Sequence, residues 1–329
     1  MTIRVLDMFC GAGGSSAGAR AAGCQIVHAI DAWDRAALTF KDNFCTALVD
    51  NKQLTDAGQP HRRLYEQNID LIVASPECTN HSPAKGSKPR CEDSRSTSRY
   101  VITYAAALRP RWIVIENVVQ LRNWAGYPEL LHQLQSLGYR INIQVLDAAD
   151  FGVPQTRRRL FVICDREGTP PDVKPRVIRH RPALQAIKLD GPWLSRPLKM
   201  AGRAAGTLER AQRGIDAVGR NPFLIVYYGS DGSGGWQTLE RPLRTLTTLD
   251  RFGLVTWEGR QPMLRMLQVE ELRKAMGFPA DYVFNRGTRR DRIKLIGNAV
   301  AAPVMAAIVE TLMERKSGRR FAQRHRIAV

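Results

Sequence analysis

The chain has 329 residues, of which 44% are hydrophobic, enough to bury the core of one large domain and a smaller one. Its 49 Lys and Arg against 31 Asp and Glu give a net charge of +18, which favours a polyanionic partner such as nucleic acid. The sequence contains neither an apolar run of about 18 residues nor a signal-peptide pattern, so we expect a cytoplasmic protein without a membrane span. The six cysteines have no metal-ligand spacing, which predicts reduced thiols and no metal site.

Strand and helix patterns alternate from the N-terminus to about residue 164. The stretch "IRVLDMF" predicts a strand that runs into "CGAGG", and "SSAGARAAG" has the small-residue composition of a helix packed on a sheet. Further strand patterns follow in "QIVHAID", "IDLIVAS", "RWIVIENV", "YRINIQVLDAADFG" and "RRRLFVIC", most of them separated by helix patterns. This alternation indicates parallel strands in a doubly wound α/β sheet, whose ligands bind at the carboxyl ends of the strands.

The composition changes at about residue 165. The Pro- and Arg-rich stretch "REGTPPDVKPRVIRHRP" leads into short β patterns around the glycine-rich "GSDGSGGW", which predicts a small β-containing domain. Helix patterns return in "QVEELRKAMGF" and "GNAVAAPVMAAIVETLMERK", so this domain is expected to be inserted into the first. We therefore predict a first domain at 1–164 and 265–316, a second domain at 165–264 and a basic tail at 317–329.

The glycine-rich loop after the first strand is a candidate ligand site. Gly11, Gly13 and Gly14 allow positive φ and a close approach of backbone N–H groups to a ligand, although many α/β proteins turn this way for structural reasons. The spacing is neither a P-loop nor the full dinucleotide fingerprint. Asp31, at the end of the next strand, can accept hydrogen bonds from ribose, and Trp33 can either stack on a purine or anchor the core. Together these features indicate a nucleoside cofactor without a pyrophosphate cradle.

Two further strands end in chemically capable side chains. A lone cysteine is more often a small buried hydrophobe than a nucleophile, but Cys78 follows Pro76 at a strand end and precedes the polar, Lys-rich "TNHSPAKGSKPR". In "WIVIENV", Glu116 and Asn117 end another apolar strand. A carboxyl group emerging from a buried strand needs a partner or a task, so Glu116 is a candidate acid, with a capping or salt-bridge role as the alternative.

The motifs "FCGAGG", "SPEC", "ENV", "PQTRRR", "RPLRTLTT" and "GNAV" occur in this order, and with them the chain resembles the DNA cytosine-5 methyltransferase family over most of its length outside residues 166–235. The resemblance implies a Rossmann-like methyltransferase sheet with an inserted target-recognition domain. It also implies transfer of a methyl group from S-adenosyl-L-methionine to carbon 5 of a flipped-out cytosine in double-stranded DNA, with S-adenosyl-L-homocysteine as product. A monomer associated with the nucleoid through DNA is expected, and a cognate restriction endonuclease is a candidate partner.

The resemblance assigns roles to individual residues. Cys78 is the implied nucleophile that adds to carbon 6 of cytosine, Glu116 binds ring nitrogen 3 and the amino group, and Arg157 and Arg159 contact the base and support the catalytic loop. The implied cofactor-binding residues are Phe9, Gly11, Ala12, Gly13, Gly14, Asp31, Trp33, Asp50, Pro76, Asn298 and Ala299. The implied DNA-binding residues are Ser82, Lys85, Gln155, Arg244 and Thr247.

The sequence departs from the family pattern at three positions. Glu77 stands where the family has a second proline, and a carboxylate beside the thiol is expected to raise its pKa and slow attack. Ala299 replaces a common serine, and Ala32 stands at the usual ribose-binding acid, so Asp31 is expected to take that role. These departures indicate a divergent branch of phage or prophage type.

Two alternatives stay open at this point. One is an RNA cytosine-5 methyltransferase, and the basic inserted region argues for DNA instead. The other is a catalytically impaired DNA-binding homologue, which the presence of Glu116, Arg157 and Arg159 makes less attractive. A nucleotide-dependent dehydrogenase would have no use for the Cys-Glu-Arg set.

Overall fold

The computed structural model describes residues 2–55, 58–77, 96–229 and 234–317. The chain divides into two compact units. The first comprises Met1–Asp147, Arg158–Pro175 and Val300–Val329, and the second comprises Ala148–Arg157 and Arg176–Ala299. The predicted return of the chain to the first unit at residue 265 therefore differs from the observed boundary at Val300.

A seven-stranded sheet forms the centre of the first unit, in the order β3-β2-β1-β4-β5-β7-β6. Its strands are β1 (Arg4–Met8), β2 (Gln25–Asp31), β3 (Leu48–Asn51), β4 (Leu71–Ala74), β5 (Trp112–Asn117), β6 (Arg140–Asp147) and β7 (Arg158–Asp165). The first five strands are parallel, whereas β7 runs antiparallel to both β5 and β6. The prediction of parallel pairing is wrong at β7, because a 3-10 turn and a short loop join β6 to β7 where a parallel pair would need a crossover helix.

The register of the parallel strands places their ends in one row. Met8 pairs with Ile30 on one side and Ala74 on the other, Ile30 pairs with Asp50, and Ala74 pairs with Ile115. The segments that follow these residues therefore leave the sheet at the same edge. The glycine loop and the ends of β2, β4 and β5 therefore lie along this one edge of the sheet.

Nine α-helices lie within the described part of the chain. They are α1 (Gly14–Ala21), α2 (Asp34–Asn43), α3 (Arg62–Glu66), α4 (Arg99–Leu108), α5 (Tyr127–Ser136), α6 (Ala205–Val218), α7 (Val269–Ala275), α8 (Arg289–Asn298) and α9 (Ala302–Ser317). In the first unit, α9 packs closely on α1, and two glycines make this approach possible. A Cβ atom at Gly14 would overlap the carbonyl oxygen of Val300, and one at Gly18 would lie 2.7 Å from Cβ of Met305.

The second unit is built on a five-stranded sheet in the order β10-β9-β11-β12-β8, with antiparallel pairs throughout. Its strands are β8 (Arg196–Pro197), β9 (Phe223–Val226), β10 (Trp236–Thr238), β11 (Phe252–Glu258) and β12 (Gln261–Met266). Helix α6 covers one face, where Gly214 lets the ring of Phe223 pack against the helix backbone. The β-containing character predicted for this part of the chain is therefore present.

A buried ion pair explains why residues 265–299 belong to the second unit. Arg265 at the end of β12 binds the carboxylate of Glu271 in α7 through two contacts of 2.8 Å, and both side chains are almost fully buried. Arg265 also donates to the carbonyl of Lys188, and Glu271 accepts from the backbone N–H of Gln268 at the start of α7. The sheet and α7 are thereby held together.

One stretch of the described chain, Arg289–Glu314, has the length and apolar composition of a membrane-spanning helix. In its most apolar window, 78% of the residues are buried inside the folded chain. A buried core helix has the same composition, so this stretch is weak evidence for a membrane span.

Candidate active site

The glycine loop leaves β1 in an unusual backbone conformation. Phe9 has a φ of 57°, in the left-handed region that side chains other than glycine rarely adopt, and Gly11 and Gly13 have φ values of 52° and 82°. The loop is fixed by a hydrogen bond of 3.1 Å from the N–H of Cys10 to the carbonyl of Ile30. Left-handed residues held in this way concentrate at ligand-binding sites.

Asp31 is held against this loop by two backbone N–H groups. Gly11 donates to one carboxylate oxygen and Trp33 to the other, each at 2.8 Å. A carboxylate oxygen accepts more than one hydrogen bond, so an oriented Asp31 can also accept from a pair of hydroxyl groups. This arrangement fits the ribose of a nucleoside cofactor, and Trp33 is half-buried beside it in sequence.

Asp50 lies at the end of β3 and contacts two basic side chains. Its Oδ2 is 3.2 Å from Nε2 of His28 and 3.3 Å from Nζ of Lys52. Burial raises the pKa of Asp50, but His28 and Lys52 outweigh it, so the pKa lies below its usual value. Asp50 is therefore an ionised acceptor, as binding of an adenine amino group would require. Sequence reasoning missed His28, whose signal is a histidine inside an apolar strand.

Sequence reasoning also missed Asp7, a carboxyl group buried inside β1. It accepts a hydrogen bond of 2.6 Å from the hydroxyl of Ser16 on α1. Burial raises the pKa of Asp7 to about 7, the Ser16 hydrogen bond opposes this change, and the nearby charge of Asp31 adds to it. The signal was available in "RVLDM", where an acid interrupts an apolar strand in the same way as Glu116 does in β5.

Glu116 is buried near the end of β5 and is paired with the neighbouring strand. Its side chain is 7% exposed, and its Oε1 lies 3.2 Å from Nε of Arg159 on β7. The antiparallel pairing of β5 with β7 brings the two residues together, although 43 positions separate them in the sequence. The structure therefore unites two of the four residues predicted to be catalytic.

Asn117 ties the end of β5 to the segment that follows β4. Its side-chain N–H donates to the carbonyl of Pro76 at 3.1 Å, and its amide oxygen accepts from the N–H of Val118 at 2.8 Å. Pro76 is buried and Glu77 after it is exposed. The predicted residues Cys78, Ser82 and Lys85 lie outside the described residues.

Two side chains of the "PQTRRR" motif, Gln155 and Arg157, are buried in the second unit and bind backbone groups there. Gln155 is fully buried, accepts from the N–H of Leu246 at 2.7 Å and donates to the carbonyl of Ala275. Arg157 is 3% exposed and donates to the carbonyls of Leu246 and Gly297 at 3.0 and 2.7 Å. Gln155 therefore binds backbone groups of the second unit, and Arg157 donates to backbone carbonyls of the same unit. The DNA contact of Gln155 and the base contact of Arg157 stay predictions.

These contacts join three motifs within the second unit. Gln155 and Leu243 form a parallel bridge, so "PQTRRR" pairs with "RPLRTLTT". A Cβ atom at Gly297 in α8 would overlap the carbonyl oxygen of Thr247, which shows how closely "GNAV" approaches the same segment. Arg244 and Thr247 are both half-buried on this scaffold.

The last two predicted cofactor residues lie at the end of the second unit. Asn298 is the final residue of α8 and is exposed, whereas Ala299 is buried. Val300, which follows directly in the chain, is the residue packed against Gly14 in the first unit.

Comparisons with known proteins cover most of the chain. The family model for C-5 cytosine-specific DNA methylases matches residues 3–190 and 210–314. The chain is 29% identical to the Type II methyltransferase M.HgiDI of Herpetosiphon aurantiacus, over 91% of this chain and 90% of that protein. It is 31% identical to the Type II methyltransferase M.HindV of Haemophilus influenzae, over 91% of this chain and 92% of that protein. A crystal structure of a Spodoptera frugiperda DNMT2 mutant matches with a TM-score of 0.70 at 17% identity, over 95% of this chain and 100% of that one.

The chain belongs to the C-5 cytosine-specific DNA methylase family, as the order of its motifs predicted, and it is a methyltransferase. Enzymes of this family use S-adenosyl-L-methionine. The structural match is too distant in sequence to carry more than the fold, and it confirms the Rossmann-like methyltransferase sheet.

Proposed function

We propose that this protein is a DNA (cytosine-5)-methyltransferase that transfers a methyl group from S-adenosyl-L-methionine to carbon 5 of a flipped-out cytosine. The pairing of buried Glu116 with Arg159 carries the proposal. Glu116 lies on β5, and Asn117 at the end of the same strand donates a hydrogen bond to Pro76, two residues before Cys78. A buried carboxylate held by a guanidinium can bind a polar ring edge without the cost of an unpaired buried charge.

Each proposed catalytic residue has a distinct task. Carbon 5 of cytosine is a poor nucleophile, and addition of the Cys78 thiolate to carbon 6 moves electron density to carbon 5. Glu116 binds ring nitrogen 3 and the amino group, and a proton that it shares with ring nitrogen 3 offsets the negative charge that develops there during addition. Arg159 orients Glu116. When the methyl group has been transferred, a base from solvent takes the carbon 5 proton, the Cys78 sulfur leaves as thiolate, and the aromatic ring is restored.

The residues at the ends of β1 to β3 fit the cofactor. S-adenosyl-L-methionine supplies an electrophilic methyl group on a sulfonium centre. Asp31, held by Gly11 and Trp33, would accept from the ribose hydroxyls, and ionised Asp50 would accept from the adenine amino group. Phe9 and Trp33 provide aromatic surfaces for the purine.

Double-stranded DNA is the proposed substrate. A base inside a duplex must leave the stack to reach a pocket, and this costs a few kcal/mol that contacts with DNA must offset. The net charge of +18 supplies the electrostatic part of that binding. We assign base or phosphate contacts to Arg244 and Thr247, together with Ser82 and Lys85. We further propose a cytoplasmic monomer with a cognate restriction endonuclease as a partner.

One experiment tests this function. Purified protein is incubated with methyl-labelled S-adenosyl-L-methionine and either duplex DNA or RNA, and the nucleosides are then identified after digestion. The expected product is labelled 5-methylcytosine from DNA, absent in Cys78→Ser and unchanged in Cys45→Ser, because Cys45 is an exposed cysteine without an assigned role. Label in RNA alone would select the RNA enzyme, and DNA binding without label would select the impaired homologue.

A further inference from the structure

An exposed isoleucine projects from the second unit. Ile178 has a relative exposure of 104%, against 78% for Leu194, the next most exposed large hydrophobic side chain among the described residues. Singly exposed apolar residues are common on protein surfaces. Ile178 is unusual because it makes almost no contact with the chain that carries it.

Hydrogen bonds to Asp150 flank Ile178 on both sides. The carbonyl of Asp150 accepts hydrogen bonds from the N–H groups of Arg176 and Val177, at 2.8 and 3.1 Å. The carboxylate of the same Asp150 lies 2.8 Å from Nε2 of His180. The side chain of Val177 is half-buried against Gly152. Asp150 therefore contacts residues on both sides of Ile178, through its backbone carbonyl and through its carboxylate.

The surroundings of Ile178 are strongly basic. Arg176, Arg179 and Arg181 are all exposed on the same short segment. The sequence contains no Asp or Glu from Val173 to Leu189, and the nearby Asp150 is already paired with His180. An apolar tip surrounded by guanidinium groups matches a polyanion that has an apolar interior. Duplex DNA has these two properties, because its phosphates surround stacked bases.

We propose that Ile178 is an apolar wedge that inserts at a base step of bound duplex DNA, while Arg179 and Arg181 contact the flanking phosphates. This inference rests on the proposed function and names a part of the DNA-binding surface that the sequence motifs did not indicate. The wedge unstacks a base step, and the new apolar contact offsets part of the cost of distorting the duplex.

The salt dependence of DNA binding separates the two kinds of contact. Binding of a fluorescein-labelled mixed-sequence duplex is measured by anisotropy at several salt concentrations for wild type, Ile178→Ala, Arg179→Ala and Arg181→Ala. Ile178→Ala is expected to weaken binding roughly tenfold with an unchanged salt slope, because an apolar contact releases no counterions. Each arginine variant is expected to reduce the salt slope by about 0.9.

Leu189→Ala is the matched control, since Leu189 is a 41% exposed leucine of the same unit that is followed by an acidic residue. It should bind DNA as wild type does. Equal affinity of Ile178→Ala and wild type would overturn the inference, and so would an arginine pair without effect on the salt slope. Sedimentation velocity supplies a further check, because a change of oligomeric state in Ile178→Ala would assign the side chain to a contact between copies of the chain.

The binding assay requires no methyl transfer, so the two proposals can fail separately. Methylation of DNA by the wild type together with unchanged DNA binding by Ile178→Ala would contradict the wedge proposal and leave the proposed reaction intact. Weaker DNA binding by Ile178→Ala, with no labelled DNA formed by the wild type, would contradict the proposed reaction and leave the wedge proposal intact. Because the side chain of Ile178 is fully exposed, its substitution should leave thermal unfolding unchanged, and this measurement shows that the variant is folded.

Discussion

Nε of Arg159 lies 3.2 Å from Oε1 of Glu116, and the two side chains are only 17% and 7% exposed. Strands β5 and β7 carry them as neighbours in the sheet. An ion pair this well shielded fixes the direction of the carboxylate, because the guanidinium nitrogens have a rigid planar geometry. The orientation of Glu116 therefore depends on a residue that is distant in the sequence.

Removal of this pairing should impair turnover more than cofactor binding. We expect Arg159→Ala to lower kcat for methyl transfer by about 10²-fold or more, because Glu116 would lose its orientation in the transition state. Arg159→Lys should recover part of the rate, since it keeps the charge and loses the planar geometry. Steady-state kinetics with saturating cofactor give kcat, and calorimetry gives cofactor affinity.

The control for this series is Arg158→Ala, which removes the exposed neighbouring arginine. It should change the KM for DNA at most, with kcat preserved. A kcat equal to wild type in Arg159→Ala would show that Glu116 does not depend on the pair.

Because α1 packs closely on α9, one added methyl group at their contact should lower the free energy of unfolding. In Gly18→Ala, the new Cβ would overlap the carbonyl oxygen of Ala302 and lie 2.7 Å from Cβ of Met305. Because backbone atoms cannot move aside cheaply, we expect a loss of about 1–3 kcal/mol in the free energy of unfolding. Gly206→Ala in α6 is the control, since its Cβ would approach only the flexible end of Arg210, and it should be neutral or stabilising by up to about 1 kcal/mol. Chemical denaturation measures both, and equal stabilities would contradict the packing argument.

The buried Asp7 predicts a specific pH dependence of stability. The pKa of Asp7 in the folded state is about 7, against 3.8 for an unperturbed aspartate, so the folded protein binds this proton more tightly than the unfolded chain does. Its contribution to stability is therefore complete below pH 3.8 and is lost as the pH rises through about 7. For a shift from 3.8 to about 7, the loss amounts to at most about 4 kcal/mol.

Asp7→Asn tests this dependence, because asparagine resembles the protonated acid at every pH. The variant should match wild type near pH 4 and exceed it in stability near pH 8. Denaturation curves of both proteins across this range give the difference, and a difference that stays constant with pH would refute the assignment.

The ion pair between Arg265 and Glu271 should matter far more than an exposed one. We expect Glu271→Ala to cost about 3–5 kcal/mol, since it leaves the buried guanidinium of Arg265 without its carboxylate. Arg62→Ala, which removes a pair with Glu66 in which both side chains are largely exposed, should change stability by less than about 1 kcal/mol. Thermal or urea unfolding of the two variants measures both stability losses. Similar losses in Glu271→Ala and Arg62→Ala would contradict the larger contribution assigned to the buried pair.

Part of the site could be predicted because strand patterns reveal where polar residues leave an apolar run. Asp31 and Glu116 each end a strand in the sequence, and the structure places both at the same edge of the parallel sheet. Asp7 and His28 lie inside strands, where a polar residue interrupts the apolar run without marking its end, and they were not predicted. The contact between Asn117 and Pro76 could not be read from the sequence, since it depends on the adjacency of β4 and β5.

The orientation of the side chains in the "PQTRRR" motif could not be read from the sequence. Gln155 and Arg157 stand in a polar, basic motif, and the sequence cannot show which of its side chains turn inwards. Both side chains form hydrogen bonds with backbone groups of Leu246, Ala275 or Gly297, which are 89 to 140 positions away in the chain. The boundary predicted at residue 265 differs from the observed one for the same reason, because Arg265 finds its carboxylate on the following helix.

By itself, the sequence determined the family, the α/β class and the set of chemically capable side chains, because residue type, motif order and strand periodicity are local properties. The tertiary structure decided which of these side chains meet. Only the fold pairs Glu116 with Arg159, orients Asp31 by two backbone N–H groups and leaves Ile178 exposed. Burial and hydrogen-bond partners depend on segments far apart in the chain, and only packing in three dimensions brings such segments together.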